Sequence, residues 1–326
     1  MSYFRKLDSQ LAKMLALFER DKKWLILINA DPDALGSAMA LKRIMSYRVA
    51  DVGIAHVNEV TRPDNLSMIR YLNIPTQRLT PAIAESYDRY AMVDSQPHHH
   101  VDFKQFHFSI VLDHHPLVED KPVEAEYKEI KPEYGSCSTL LTEYLHNLNI
   151  RPGKLLATAL MYGIKSDTSS FERNFCDVDV KAFRYLSKHA DHNLIRKIVR
   201  SEFRLEWLHY FSQAFAKLRI QKNGAHIYLG EVDNPDILVI LADFFLRIHE
   251  IVWATVAGVF GDTLIVIFRS DGVSREVREL GKKADQLFGD VGSAGGHATM
   301  ARAEVKLDDI PDDDPEAFTL SRLGLS

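Results

Sequence analysis

The sequence has only two cysteines, Cys137 and Cys176, and no CxxC spacing. That excludes a disulfide framework and a thiolate metal site, so any bound metal has to be held by histidines and carboxylates. Long apolar runs are also missing: the best, Ile251 to Phe260, is far too short to span a bilayer. The first residues, through Lys23, are punctuated by charges and carry no sustained apolar stretch of a secretory signal, so the expected location is the cytoplasm, with no membrane partner. Nor is there an excess of positive charge. Forty Lys+Arg against 45 Asp+Glu leave a formal charge of -5, which argues against a protein that grips long duplex nucleic acid through a basic surface. Short oligonucleotides and single nucleotides remain open as ligands. What is present, 46% hydrophobic and 26% charged residues in a chain of 326, describes a globular protein long enough for two domains. The composition leaves the oligomeric state open, a homodimer included.

Apolar spacing organises the chain. Leu7, Leu11, Met14, Leu15 and Phe18 recur at helical spacing, and Trp24 to Ile28 read as a central strand. That strand runs into an acidic turn, Asn29-Ala30-Asp31-Pro32-Asp33-Ala34-Leu35-Gly36-Ser37, with a helix expected from Ala38 to Met45. Two further apolar runs end in polar residues, Tyr90 to Asp94 and Phe108 to His115. Ser136 to Asp191 reads as mostly helical, and 195–222 as a connecting segment. The pattern then restarts as a second α/β domain over 223–326, with strands at 225–229, 252–260 and 263–268, helices at 237–248 and 275–288, a Gly-rich turn and a solvated acidic tail. The aromatic cluster Phe203, Trp207, Tyr210, Phe211 and Phe215 has helical spacing and is expected to pack rather than to stack bases. His98-His99-His100 reads as a solvated loop. The fold class is therefore α/β, with a mainly parallel sheet in the first domain, 1–194.

Asp31, Asp33, Asp94, Asp113-His114-His115 and Asp167 carry the chemistry. Singly, each could cap a helix or sit on the surface. Together, at the ends of buried strands, they would repel one another unless a cation neutralised them. Carboxylate oxygens with a few imidazoles suit Mn²⁺, Mg²⁺ or a related divalent ion.

Asp31-Pro32-Asp33-Ala34-Leu35-Gly36-Ser37, Asp94 in Val93-Asp94-Ser95-Gln96-Pro97, Asp113-His114-His115-Pro116 and Asp167 resemble, in order, the four motifs of the DHH phosphoesterase superfamily. Ser293-Ala294-Gly295-Gly296-His297 resembles the glycine-rich signature of the associated substrate-binding domain, DHHA1. The short chain looks like the branch of bifunctional oligoribonuclease/pAp phosphatases. The resemblance implies a Mn²⁺-dependent hydrolase of short oligonucleotides or pAp-like nucleotides, with linear or cyclic dinucleotide hydrolysis, or nucleotide binding with weakened catalysis, as alternatives. It places Asp31 and Asp94 on one metal and Asp33, Asp94, His114 and Asp167 on the other, with His115 facing the substrate phosphate and Asp113 orienting a histidine. Arg269, Ser293, Gly295, Gly296 and His297 would bind the non-scissile end of the substrate. Metal-binding branches usually carry a histidine four residues before the first Asp of this motif, and this chain has Leu27 there. Gly135 to Thr139 reads equally well as a helix cap or as amides turned toward the site.

Overall fold

Residues Trp24 to Ile28 are all buried, as five consecutive apolar residues require of a strand covered on both faces. They belong to the first of two units in this computed structural model, Met1–Glu202 and Phe203–Ser326. The structure describes residues 3–201, 203–274, 279–296 and 298–325. In unit 1 the order is α1 (Asp8–Leu15), β1 (Lys23–Ile28), α2 (Pro32–Met45), β2 (Asp51–His56), α3 (Pro63–Leu72), β3 (Thr76–Arg78), α4 (Pro81–Ala84), β4 (Arg89–Val93), β5 (Phe108–Asp113), β6 (Tyr127–Ile130), α5 (Cys137–Asn147), α6 (Lys154–Asp167), α7 (Asp177–Leu186) and α8 (His192–Val199).

The six strands form one sheet in the order β3-β2-β1-β4-β5-β6, every neighbouring pair parallel. After β1 the chain builds outward to β2 and β3, then returns to place β4 on the other side of β1. This reversal opens a crevice at the C-terminal ends of β1 and β4, where ligands of open α/β sheets bind. Ile26, Ile28, Ala91, Val93, Ile110 and Leu112 face the larger core beneath the helices. Leu25, Leu27, Ala55, Met92 and Val111 face a smaller apolar layer with Phe103, Phe108 and Val123.

The helix after β1 starts six residues earlier than Ala38. Asp31 caps it, its Oδ1 accepting from the Ala34 N–H at 2.9 Å, and Pro32 stands in the first turn, so the acidic turn is itself the first helical turn. Gly163 lets α6 pass close over α2, since an added Cβ would meet Ser138 Oγ at 2.5 Å and Asp33 Oδ1 at 2.9 Å. That close approach carries Asp167, the last residue of α6, toward Asp33.

Unit 2 contains α9 (Leu208–Lys217), β7 (Arg219–Gln221), β8 (Gly224–Glu231), α10 (Asp236–Phe245), β9 (Trp253–Phe260), β10 (Thr263–Ser270), α11 (Leu280–Phe288), β11 (Ser293–Gly296), β12 (Met300–Lys306) and α12 (Pro315–Leu323). Its mixed sheet runs β11-β12-β10-β9-β8-β7. The segment 195–222 is shared: Ile195 and Ile198 of α8 join the core of unit 1, while Trp207, Tyr210 and Ala214 join a core of unit 2. Two expectations need correction here. The Gly-rich turn is an edge strand, Ser293 to Gly296 pairing with Glu304 to Ala301. The acidic tail is not wholly solvated, because Ile310 is buried and Phe318 and Leu323 pack against the sheet. An acidic surface hid those apolar contacts in the composition.

Candidate metal centre

Three neighbouring strand ends deliver the site. Asp33 lies in the first turn of α2 after β1, Asp94 follows β4, and Asp113 closes β5 ahead of His114 and His115. Asp94 adopts a left-handed backbone, φ 57°, which is uncommon for an aspartate outside turns and is retained most often at functional sites. Its N–H donates to Leu112 O at 2.9 Å, tying β4 to β5 where the turn is made.

Asp33, Asp94, His114 and Asp167 come together so that one donor atom from each lies within 4.8 Å of the others. His114 Nε2 is at their centre, 3.1 Å from Asp167 Oδ2, 3.3 Å from Asp94 Oδ1 and 3.9 Å from Asp33 Oδ2. His114 Nδ1 donates to Tyr134 O at 3.1 Å, which fixes the neutral tautomer with a lone pair on Nε2. Among the described residues, Asp94 Oδ1 and His114 Nε2 are buried without a hydrogen bond, and each becomes an ion-pair partner of the other only when His114 is protonated. Buried carboxylate oxygens crowded around one imidazole nitrogen are unfavourable for a fold alone and are an arrangement that a cation satisfies, whether a proton on His114 or a divalent ion. The donor set of carboxylate oxygens and one imidazole fits such an ion.

Asp33 is already engaged from behind. Its Oδ2 and Oδ1 accept from the N–H groups of Cys137 and Ser138, at 2.6 and 2.8 Å, the first amides of α5. Both readings of Gly135 to Thr139 therefore hold. Ser136 caps α5 by accepting from the Thr139 N–H, and the free amides beyond it orient Asp33.

The electrostatics follow from crowding carboxylates out of water. Burial, with Asp167 next, pushes Asp33 up to about 6, against the pull of His114 and the Ser138 hydrogen bonds. Loss of water contact and the same Asp167 push Asp31 up to about 7. Asp94 is raised well above the usual range by burial and then by Asp33, Asp31 and Asp167. His114 moves the other way from what burial alone would do: the surrounding Asp167 and Asp33 overcome desolvation and raise it to about 9. Without a metal, a proton on His114 supplies the positive charge the cluster demands.

Asp31 is placed beside this cluster but is not among the four gathered donors, its Oδ1 being used to cap α2. Asp113 is buried and accepts from His115 Nδ1 at 2.8 Å and from Gln96 Nε2 at 2.8 Å. Burial would raise its pKa, but these two bonds and the nearby imidazoles hold it below the ordinary carboxylate value. His115 is thereby pinned through Nδ1, with 38% of its side chain still exposed for a ligand. Asp94, His114 and His115 also form a second close group of possible donors.

The histidine run is solvated as expected, with His99 exposed and His98 and His100 partly so. His99 nevertheless lies beside the site: its Nδ1 accepts from the Gln96 N–H at 3.2 Å and its ring stands 5.2 Å from that of His115, edge-on. Withdrawal from water, with His115 next, pushes its pKa down to about 4. His100 caps the short turn 101–105. Gln96, buried with Nε2 also donating to His115 O at 3.0 Å, was invisible as a functional residue in the sequence, since nothing in its spacing marks it.

Leu27, at the histidine position of the resembled motif, is fully buried in the apolar layer with Leu25, Ala55 and Met92. In unit 2, Arg269 Nε donates to Asp243 Oδ1 at 3.1 Å and the side chain is largely covered. Ser293, Gly295 and Gly296 lie on the edge strand β11. His297 lies outside the described residues.

Residues 23–164 match the model of the DHH family, N-terminal domain. The chain carries a DHH domain. An uncharacterized protein of Methanocaldococcus jannaschii is 33% identical over 294 residues, 89% of this chain, and the chain spans 59% of that relative's length. Among solved structures, an exopolyphosphatase-related protein from Bacteroides fragilis shares the fold with a TM-score of 0.78 at 17% identity, over 98% of this chain and 96% of that one. In the triplet Asp113-His114-His115, His114 thus reaches the gathered carboxylates with Nε2, while Asp113 pins His115 through Nδ1 and leaves that imidazole partly exposed. Among the described residues no helix is long and apolar enough to cross a membrane.

Proposed function

We propose that this DHH protein is a divalent-metal-dependent phosphoesterase that hydrolyses short oligonucleotides or pAp-like nucleotides. The observation that carries the reading is the convergence of Asp33, Asp94, His114 and Asp167, one donor atom from each within 4.8 Å of the others, three of them carboxylates. These four residues would hold an ion, with Asp31 nearby as a further carboxylate in the two-ion form of the proposal. A divalent cation bound there would supply Lewis-acid chemistry, polarising phosphoryl oxygens and lowering the pKa of water.

The chain's own residues do the rest. The α5 amides keep Asp33 ionised and aimed. Asp113 holds His115 in one orientation with its free Nε2 toward solvent, where it donates to a non-bridging phosphate oxygen or to the departing group. Although burial lowers the His115 pKa, the bond and charge of Asp113 outweigh it and raise the value, favouring that donor form. The choice of short nucleotides over other phosphoesters rests on the resemblance of the motifs and of the Ser293 to His297 segment, with Mn²⁺ as the preferred ion and the cytoplasm as the setting.

The test is a substrate panel with the metal-stripped protein, re-supplied with Mn²⁺ or Mg²⁺: pAp, RNA and DNA dinucleotides, a cyclic dinucleotide, inorganic polyphosphate and long duplex DNA. Release of phosphate from pAp or cleavage of dinucleotides, abolished by EDTA and absent on duplex, is the expected result. Preferential attack on polyphosphate, the chemistry in the name of the Bacteroides relative, would replace the substrate class. Nucleotide binding that persists in EDTA with no hydrolysis under any metal would replace the enzyme reading.

A further inference from the structure

Asp179 is fully buried, lies outside every group of metal donors, and has no described cationic partner. It stands at the third position of α7, where a carboxylate commonly closes a capping box by accepting the N–H of the cap residue, and its Oδ2 does accept from the Cys176 N–H at 2.8 Å. A cap needs no more than that and need not be buried. Yet the same Oδ2 accepts from the Gly135 N–H at 2.9 Å, and Oδ1 accepts from Thr139 Oγ1 at 2.5 Å, contacts that reach 44 and 40 residues back along the chain.

Those two distant partners flank a segment with two jobs. Tyr134 O, one residue before Gly135, receives His114 Nδ1. Cys137 and Ser138, between Gly135 and Thr139, give their amides to Asp33. The local partner, Cys176, ends the loop that begins just after Asp167. One buried carboxylate therefore fastens the backbone that aims Asp33 and His114 to the segment that continues from Asp167. Gly135 leaves no slack in this arrangement, since a Cβ there would meet Thr168 Cγ2 at 2.6 Å and Asn174 O at 2.8 Å.

We propose that Asp179 is a positioning residue for the metal centre, holding three of its four ligands in register through backbone amides and one carbonyl. The inference rests on the metal reading above and adds a residue that the DHH motifs do not contain. The outer partners of ligating side chains typically change metal affinity ten- to a hundredfold when removed, and Asp179 acts one step further out on all three of these ligands together.

The experiment measures Mn²⁺ binding by electron paramagnetic resonance and thermal unfolding for the whole protein and for Asp179→Ala, Asp179→Asn and Leu186→Ala. Leu186 is buried further along the same helix and packs in the core. Asp179→Ala is expected to weaken Mn²⁺ at least tenfold and to shift the His114 ring nitrogen resonances in the metal-free protein. Asp179→Asn is expected to stay within about threefold of the parent. Its amide oxygen replaces Oδ2, and Thr139, whose hydroxyl can rotate, accepts from its amino group instead. If Asp179→Ala does not fold, a tenfold or greater loss in folded Asp179→Asn, with the His114 resonances unmoved, overturns the idea. So does unchanged Mn²⁺ affinity in folded Asp179→Ala, which reduces the residue to a cap, or an equal loss in Leu186→Ala, which makes the effect one of general stability. Failure of the parent protein to bind Mn²⁺ refutes the metal reading instead, and the resonance shift in metal-free protein then judges Asp179 separately.

Discussion

At the C-terminal ends of β1, β4 and β5 the chain buries Asp33, Asp94 and Asp113 around His114, with two polar atoms left unpartnered. At the Gly-rich edge of unit 2 it does the reverse: side chains are nearly absent and backbone pairs with backbone along β11 and β12. The first region stores unfavourable electrostatics that a ligand relieves. The second is satisfied on its own terms, with Gly296 at φ 148° and its hydrogen in the space where a Cβ would collide with Met300 O. Similar motif quality in the sequence thus covers two physical situations. One crowds donors that a cation would satisfy, and the other pairs its backbone within the sheet.

The sharpest way to break this contrast is Asp94→Asn. Loss of a shared anionic ligand should lower metal-dependent turnover on the order of a thousandfold, the scale of several kcal/mol of charge stabilisation. In EDTA the same variant should be more stable than the parent by about 0.5–2 kcal/mol, because it removes a carboxylate that burial and its neighbours hold protonated only at a cost. Denaturant titrations with and without metal read both effects. A variant that is less stable in EDTA would show that the cluster is not strained. Gly296→Ala is the counterpart in unit 2, expected to cost about 3–4 kcal/mol through a left-handed-side backbone and a steric clash, with Mn²⁺ binding in unit 1 unaltered.

Leu27→His comes next. With its neighbours Leu25, Ala55 and Met92 all apolar, the new imidazole would be buried without a partner. The expected loss is about 2–3 kcal/mol with no added Mn²⁺ affinity. Tighter Mn²⁺ binding in a stable Leu27→His protein would show that this position does face the ions.

The two units should also answer pH in opposite directions. His226 in unit 2 is buried, donates or accepts through Nδ1 with Thr255 Oγ1 at 2.7 Å, and its Nε2 has no hydrogen-bond partner among the described residues. Burial, and then Lys283, push its pKa down to about 4 from 6.5. Between those values the unfolded chain binds the proton and the folded chain does not, so unit 2 loses stability as pH falls from 6.5 toward 4, by up to about 1.4 kcal/mol per pH unit. His114 in unit 1 is raised to about 9. Its contribution is complete below 6.5 and is lost as pH rises from 6.5 to 9 in the metal-free protein. Hydrogen exchange resolved by segment, in EDTA, separates the two slopes. Mn²⁺ should flatten or invert the slope of unit 1, since it binds the deprotonated ligands. Matching slopes in the two units would contradict the assignment of opposite protonation states.

Much of this was legible beforehand. Apolar runs that stop abruptly at Asp or His placed β1, β4, β5 and the acidic and imidazole residues at their ends, because a buried parallel strand has to be apolar and its polar end marks where it leaves the core. The start of α2 was read too late because the acidic turn was judged by its chemistry, although Asp31 and Pro32 are strong helix-start residues. Strand β12 escaped notice: its burial alternates through Ala301, Ala303 and Val305, and alanine carries little strand signal. Gln96, Tyr134 and Asp179 could not be found from spacing, since each acts on a residue far away in the chain or through a backbone atom. A carboxylate in a capping position looks the same in sequence whether it makes one bond or three.

The smallest expected effect separates the two explanations for the Gly-rich strand. Among the described residues nothing lies within 4 Å of a Cβ added at Gly295, unlike its neighbour Gly296. Packing therefore gives no reason for glycine at 295, and Gly295→Ala should change stability by no more than about 0.5–1 kcal/mol, in either direction, through the unfolded chain and strand propensity. If the strand only completes a sheet, the variant behaves as the parent in every assay. If its open face admits a phosphate or nucleotide, as the resemblance implies, a methyl group there obstructs the ligand directly, so KM for the short substrate should rise severalfold while thermal unfolding and Mn²⁺ binding stay unchanged. Kinetics on folded Gly295→Ala decide between the two: an unchanged KM would leave the glycine-rich edge as structure alone, and an elevated KM at constant stability would assign it to the substrate.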